Sequence, residues 1–202
     1  MVLRFVRGGS PIENFAACVF VAIPAGIRQF AAPVVGSRCF EELTAWDDAG
    51  FGIDFSEARM MSLNNIYVRS FSPSDLLEDG KSAAQWDEVR FDGRANPSRR
   101  GEARWTTAKP TTVYGLALWW TAELVPGISL GTGPLDKKTH WEQLYLPALD
   151  PIRLAPGETL RAGIKSVSSP ETGTDVAWSL AVLTSKGTER LRQRHHLGEA
   201  VV

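Results

Sequence analysis

The 202-residue sequence is short of cysteine and histidine, carries no marked excess of either charge, and has no long apolar run. Each shortage excludes a class of chemistry. Neither of its two cysteines, Cys18 and Cys39, lies in a C-x-x-C pair or beside a histidine, so no zinc or redox motif exists; buried, reduced small hydrophobes are expected rather than a disulfide. Lys plus Arg number 22 against 23 Asp plus Glu, a net charge of -1, which argues against a nucleic-acid partner because displacing counterions needs a basic excess. No segment approaches the ~20 apolar residues of a membrane helix, so no membrane partner is expected. The run Phe15 to Ile23 is short for a signal peptide and is approached through Glu13 and Asn14, so a cytoplasmic location is expected.

Active-site motifs are missing too. No G-x-S-x-G nucleophile turn is present. Gly131-Thr132-Gly133 lacks the third glycine and the strand-to-helix context of a nucleotide loop, and no pair among Glu41, Glu42, Asp47, Asp48, Asp54 and Glu142 is singled out by spacing. His195 and His196 are adjacent, point to different faces in helix or strand, and make a poor metal pair. No metal is expected.

What is present is a β pattern. Short apolar or alternating runs are read as strands at Phe15–Ile23, Gln29–Val35, Phe51–Phe55, Asp87–Phe91, Thr106–Thr112, Val113–Trp120, Gln143–Pro147, Ile152–Leu154, Thr159–Val167 and Val176–Thr184, with Arg38–Trp46 open to strand or helix. Gly115 to Leu124 is almost wholly apolar, as a central strand covered on both faces would be. Pro156-Gly157-Glu158 reads as a hairpin turn. Two stretches are helical, Ser56–Leu63 and Ser74–Gly80, with Ile66–Phe71 extended between them; Gly93–Arg104 reads as a polar loop. The fold class that follows is mainly β, a single β-barrel of about eight to ten mostly antiparallel strands with a short helical arm inserted. Residues 1–22 are a leading segment, residues 23–188 the barrel with its arm at about 56–80, and residues 189–202 a charged, solvated tail.

Between a loop at 131–136 and a strand from Leu144 stands Lys138-Thr139-His140-Trp141-Glu142-Gln143, which holds the only histidine outside the tail. Thr, His, Trp and Glu on a loop between strands are side chains suited to holding a polar partner, although on local pattern alone a structural turn is the better reading. Seven tryptophans exceed what a core of this size requires and suit half-exposed ligand walls or interfaces.

Four segments change that balance. Leu118–Leu124, Ser129–Pro134, Thr139–Gln143 and Pro156–Leu160 resemble, in order and spacing, the C-terminal β-barrel domain of protein arginine N-methyltransferases, whose named loop is the Thr-His-Trp triplet. Ile23-Pro24 to Pro33-Val34 resembles the family's junction strand, and Gly52 to Ser56 the strand leading into its dimerisation arm. The resemblance covers about residues 23–184. It implies that His140 supports catalysis by bonding an acidic residue of a cofactor domain, that Thr139 orders the loop, that Trp141 lines the arginine pocket, and that Glu142 is a further substrate contact. Met60, Met61, Leu63, Leu76 and Leu77 would belong to the arm, left exposed or folded back on the barrel.

The implied partners are an arginine-containing protein or peptide substrate, a separate or upstream cofactor domain, and a second copy of the chain. The S-adenosylmethionine-binding domain is not recognisable here, so no cofactor is expected in this chain, and S-adenosylmethionine only if it is paired with such a domain. Residues 1–22 are open to being a remnant of it; fragment, split subunit and degenerate relative all remain open. Glu57 is read as a first-turn helix residue rather than a member of a catalytic glutamate loop. The reading is therefore a substrate-binding and dimerisation barrel not competent for methyl transfer alone. The alternative is a stand-alone binding or scaffolding module for peptide or sugar, and a hydrolase using His140 is the weakest option because no nucleophile accompanies it.

Overall fold

The computed structural model describes residues 22–197, except 49, 51, 94 and 95. Ten strands lie in two antiparallel sheets. One sheet runs in the order β2 (Tyr67–Arg69), β7 (Gln143–Leu154), β5 (Thr111–Val125), β1 (Gly26–Val34), β3 (Ala84–Arg90), with β6 (Ile128–Gly131) also paired to β5. The other runs β10 (Glu189–His196), β9 (Gly173–Leu183), β8 (Thr159–Ser169), β4 (Ser98–Thr106). Helices α1 (Arg38–Thr44) and α2 (Ser56–Leu63) lie between β1 and β2 in the chain.

Side-chain alternation along β5 and β7 decides where the core sits. Leu116, Leu118, Leu146, Ile152 and Leu154 point between the two sheets, where they meet Trp105, Leu160, Ile164, Trp178, Leu180 and Val182. Their neighbours Ala117 and Tyr145 point the other way, into a second cluster with Val34, Cys39, Phe40, Leu43, Leu63, Phe71 and Leu76 that lies under the helices. The six-stranded sheet is thus covered on both faces, which is why β5 is apolar at consecutive positions. Fully burying each of these large side chains contributes about 1.5–3 kcal/mol. Burial also pushes the Cys39 thiol and the Tyr145 phenol up from their ordinary values.

Several expectations need correction. The single barrel is two sheets: among the described residues no ladder joins β3 to β4 or β7 to β10. Side chains stand at those seams instead. Arg99 on β4 forms a bidentate pair with Asp87 on β3 and also bonds the Glu88 carbonyl. Gln193 on β10 accepts from Leu149 N at 2.8 Å and donates to the Asp150 carbonyl at 3.0 Å. The Trp178 indole donates to the Pro147 carbonyl at 3.2 Å. Gln193 and Trp178 serve the stretch where β7 bulges: Gly115 pairs with Pro147 but Val113 with Ile152. Pro151 lies among the extra residues of the bulge, outside the ladder, and Pro147 is the last paired residue before it, so neither breaks the strand, and the two expected runs at 143–147 and 152–154 are one element.

Likewise Thr106–Thr112 and Val113–Trp120 resolve into the end of β4, a turn, and the single strand β5. The expected polar loop at 93–104 is largely β4, and the expected tail at 189–196 is β10. Residues 38–44 are helix, residues 52–55 are loop, and the second helical stretch is a pair of short 3-10 turns, Pro73–Asp75 and Leu77–Gly80. The 155–158 turn connects strands of different sheets rather than closing a hairpin. There the Glu158 carboxylate is bonded by Arg190 and by the Ala155 amide, which together hold it down at about 2. The leading segment and the Phe15–Ile23 run lie outside the described residues, apart from Ala22 and Ile23.

Candidate functional site

The loop from Thr132 to Glu142 leaves the end of β6 and returns at the start of β7, so both its ends are tied to the doubly covered sheet. Thr132 is buried: its amide donates to the Trp120 carbonyl at 3.0 Å and its hydroxyl to the same oxygen at 3.1 Å. Gln143, buried at the other end, donates to the Thr132 carbonyl at 2.7 Å and accepts from Phe71 N at 3.0 Å. One amide side chain therefore clamps the loop shut and fastens the 70–73 turn to it. Buried amides of this kind hold a unique geometry because every alternative leaves a polar group unpaired.

Glycine is required at two points in the approach. A Cβ on Gly131 would lie 2.1 Å from Asp136 Oδ2, and one on Gly133 would lie 2.6 Å from the Trp119 indole nitrogen. Asp136 folds back to accept from Gly133 N at 2.8 Å, and its own amide donates to the Gly133 carbonyl at 3.0 Å. The resulting tight turn sends Lys137 and Lys138 into solvent.

At the tip, Trp141 N donates to Thr139 Oγ1 at 3.2 Å, and that hydroxyl lies 3.2 Å from the Trp141 carbonyl. Thr139 thus folds the triplet on itself, as local side-chain turns do. The His140 ring lies 4.0 Å from the Trp141 ring, which meets Trp120 edge-on at 5.7 Å. Trp141 is held on two sides yet stays 45% exposed. Glu142 is bonded by the Ser70 hydroxyl. Ser70, Ser72, Pro73 and Thr132 together with Thr139, His140, Trp141 and Glu142 wall a cleft of about 450 Å³.

Thr139, His140, Trp141 and Glu142 are thus brought to one cleft, with Glu142 already engaged by Ser70. The arm residues divide. Leu63 and Leu76 are core, at 0% and 2% exposed; Leu77 is half-buried against the main cluster; Met60 is half-buried; Met61 stands 69% exposed. Of the two arrangements left open, folding back describes Leu63, Leu76 and Leu77. Met61 instead shares the surface with Ile53 and Trp46. Thr132, Asp136, Gln143, Ser70 and Trp120 were not singled out as site residues. The only local signal for them was the glycine on either side of Thr132.

Among the described residues no group of three His, Cys, Asp or Glu could hold a metal ion. His195 turns inward and stacks on Trp178 at 4.5 Å, whereas His196 lies 3.3 Å from Asp175. No described helix is long and apolar enough to cross a membrane.

Comparison with known proteins agrees with this architecture. The chain is 25% identical over 126 residues to protein arginine N-methyltransferase 2 of Mus musculus, which covers 57% of this chain and 28% of that protein. It is also 25% identical over 136 residues to protein arginine N-methyltransferase 6 of Xenopus laevis, covering 62% and 40%. The chain thus spans well under half the length of these relatives. Among solved structures, the Trypanosoma brucei PRMT1 enzyme-prozyme heterotetrameric complex with AdoHcy superposes with a TM-score of 0.68 at 19% identity, over 86% of this chain and 56% of that one. Arabidopsis thaliana protein arginine methyltransferase 10, in an open conformation, superposes with a TM-score of 0.61 at 15% identity, over 86% and 60%. These two likenesses bear on the fold. Residues 29–182 match the arginine methyltransferase oligomerization subdomain, and the chain belongs to that family.

Proposed function

We propose that this chain is the substrate-side and dimerisation half of an arginine methyltransferase-like enzyme, and that it presents Thr139, His140 and Trp141 to an arginine-containing protein or peptide. The observation that carries the reading is the half-exposed Trp141 ring, fixed by Trp120 and His140 on a loop clamped by Gln143. A guanidinium stacks on such a ring face through cation–π attraction. His140, exposed beside it, is free to bond a carboxylate of a cofactor domain, and Glu142 is a supporting contact through Ser70. Met60 and Met61 on α2 present the arm to a second subunit.

S-adenosylmethionine does not fit the described residues as a ligand of this chain. Ahead of α1 the Val35 and Gly36 amides both donate to the Asp75 carbonyl, and α2 follows an Asp54 side chain that accepts from Ser56 N. Neither offers a glycine-rich turn open to a nucleoside. The donor belongs to a partner domain, and the chain supplies positioning rather than transfer.

The test is a methylation assay on the chain reconstituted with an S-adenosylmethionine-binding methyltransferase domain, using labelled donor and an arginine peptide. His140→Ala and Trp141→Ala each reduce turnover by at least tenfold, and the chain alone shows no heat of binding to the donor in calorimetry. Unchanged turnover in both variants, or a 1:1 donor complex at micromolar affinity, overturns the reading.

A further inference from the structure

On the outer face of the four-stranded sheet the ladder register sets side chains in three rows. Arg100, Lys165, Ala177 and His196 form the first; Glu102, Gly163, Ser179 and Arg194 the second; Arg104, Arg161, Ala181 and Arg192 the third. The positions on β9 are all small and Gly163 has no side chain, so the face sinks in the middle. The depression is a trough of about 640 Å³, walled by Arg100, Lys165, Arg192 and Arg194 with one carboxylate, Glu102, among them.

Its charge is lopsided. Arg104 and Arg161 share Glu102, and Arg161 and Arg192 share Glu189. Arg100, Lys165 and Arg194 form no ion pair among the described residues, although Arg194 acts on the Glu189 carboxylate from a distance. Two of these, Arg100 and Lys165, are directly opposite each other across the β4–β8 ladder. Like charges at opposed positions destabilise a sheet, and here three unpaired cations gather on one face of a chain whose net charge is -1. An anionic partner neutralises all three.

Spacing and surface favour a peptide over a nucleic acid. Strands lie about 4.8 Å apart and successive same-face residues about 7 Å apart, so Arg194 is separated from Lys165 by roughly 12 Å and from Arg100 by roughly 16 Å. Carboxylates four residues apart in an extended peptide span the shorter of these distances. A floor of Gly163, Ala177 and Ser179 admits a main chain, with the Ser179 hydroxyl available to it. Among the described residues no Trp, Tyr or Phe side chain is exposed on this face to stack a base, since Trp178 is buried toward the core.

We propose that this trough docks an extended acidic segment of a partner protein. The site lies on the sheet that carries none of the Thr-His-Trp loop.

The test is fluorescence anisotropy of the 202-residue chain with a labelled peptide of glutamate pairs separated by two serines. The same peptide with glutamine for glutamate and an unlabelled oligothymidylate of equal charge serve as controls. The acidic peptide binds with an affinity that falls steeply with salt, the glutamine peptide does not bind, and oligothymidylate competes more weakly than unlabelled acidic peptide. Combined R100E, K165E and R194E lowers affinity at least tenfold, and the milder R100Q, K165Q and R194Q set lowers it at least threefold, with thermal melts confirming that both remain folded. No binding by the wild-type chain, equal binding of the glutamine peptide, stronger competition by the oligonucleotide, or unchanged affinity in the glutamine set each overturns the proposal.

Discussion

The two sheets differ in how many of their faces are covered, and most of this molecule's behaviour follows from that difference. The six-stranded sheet is buried by the opposite sheet on one side and by α1, α2 and the 71–76 segment on the other. The four-stranded sheet buries only its inner face and leaves Arg100, Glu102, Arg104, Lys165, Arg192 and Arg194 in water. The doubly covered sheet is rigid enough to hold a loop at fixed distance from a turn, and the Thr-His-Trp loop is rooted there. The singly covered sheet offers a broad charged surface instead.

Consecutive residues on β7 give the largest test of this difference. Leu146 points into the inter-sheet core and Tyr145 into the cluster under the helices, and both are fully buried. Leu146→Ala is expected to cost about 2–5 kcal/mol and Tyr145→Ala about 3–5 kcal/mol. The tyrosine also loses its hydrogen bond to the Tyr114 carbonyl, 2.7 Å long. Urea unfolding of both variants measures this; a near-neutral result for either shows that one face of the sheet is not packed.

His195 sharpens the comparison from the other sheet. It sits on the inner face of edge strand β10, against Trp178, and burial pushes it down to about 4 from an ordinary 6.5, with the Leu63 backbone pulling weakly the other way. The unfolded chain therefore binds a proton near pH 6.5 that the folded chain takes up only near pH 4. Between these values the unfolded state holds more protons, so stability falls as pH falls, by up to about 3 kcal/mol in all. His195→Phe keeps the stacked ring and removes this slope between pH 6.5 and 4. An unaltered pH profile in the variant places the lability elsewhere.

How legibly each strand is written in the sequence follows the same division. β5 is a run of apolar residues because both its faces are dry, and it reads as a strand at once. β4 and β10 are the two edges of the singly covered sheet, and natural edges carry charge that discourages further pairing. Ser98-Arg99-Arg100-Gly101-Glu102 and Glu189-Arg190-Leu191-Arg192 consequently look like loop and tail, although Ala103, Trp105, Gln193 and His195 alternate inward as strand residues do. The site divides likewise. Thr139, His140 and Trp141 were readable as a motif, whereas Thr132, Gln143 and Ser70 act through contacts over 11 and 72 residues that no local pattern encodes. The two seams were invisible for that reason too: Arg99 to Asp87 and Gln193 to β7 replace ladder bonds with side-chain bonds.

The smallest expected effect is at Arg104, and it tests whether the outer face of the four-stranded sheet is bare. Its guanidinium lies 2.7 Å from Glu102, two residues away on the same strand, and the two side chains are 59% and 45% exposed. An ion pair in that position gains little, because water screens it and holding two long side chains together costs entropy. Arg104→Ala is therefore expected to leave stability within about 0.5 kcal/mol of the parent by urea midpoint. This holds although Trp105, the next residue, is 5% exposed and bonds the Ser82 carbonyl, in the turn that leads into β3, at 2.8 Å. On β7, neighbouring positions both matter; on β4, only every second one should. A loss above about 1 kcal/mol at Arg104 means that something packs on that face of the free chain, and the distinction between a doubly and a singly covered sheet fails at the strand where it was drawn.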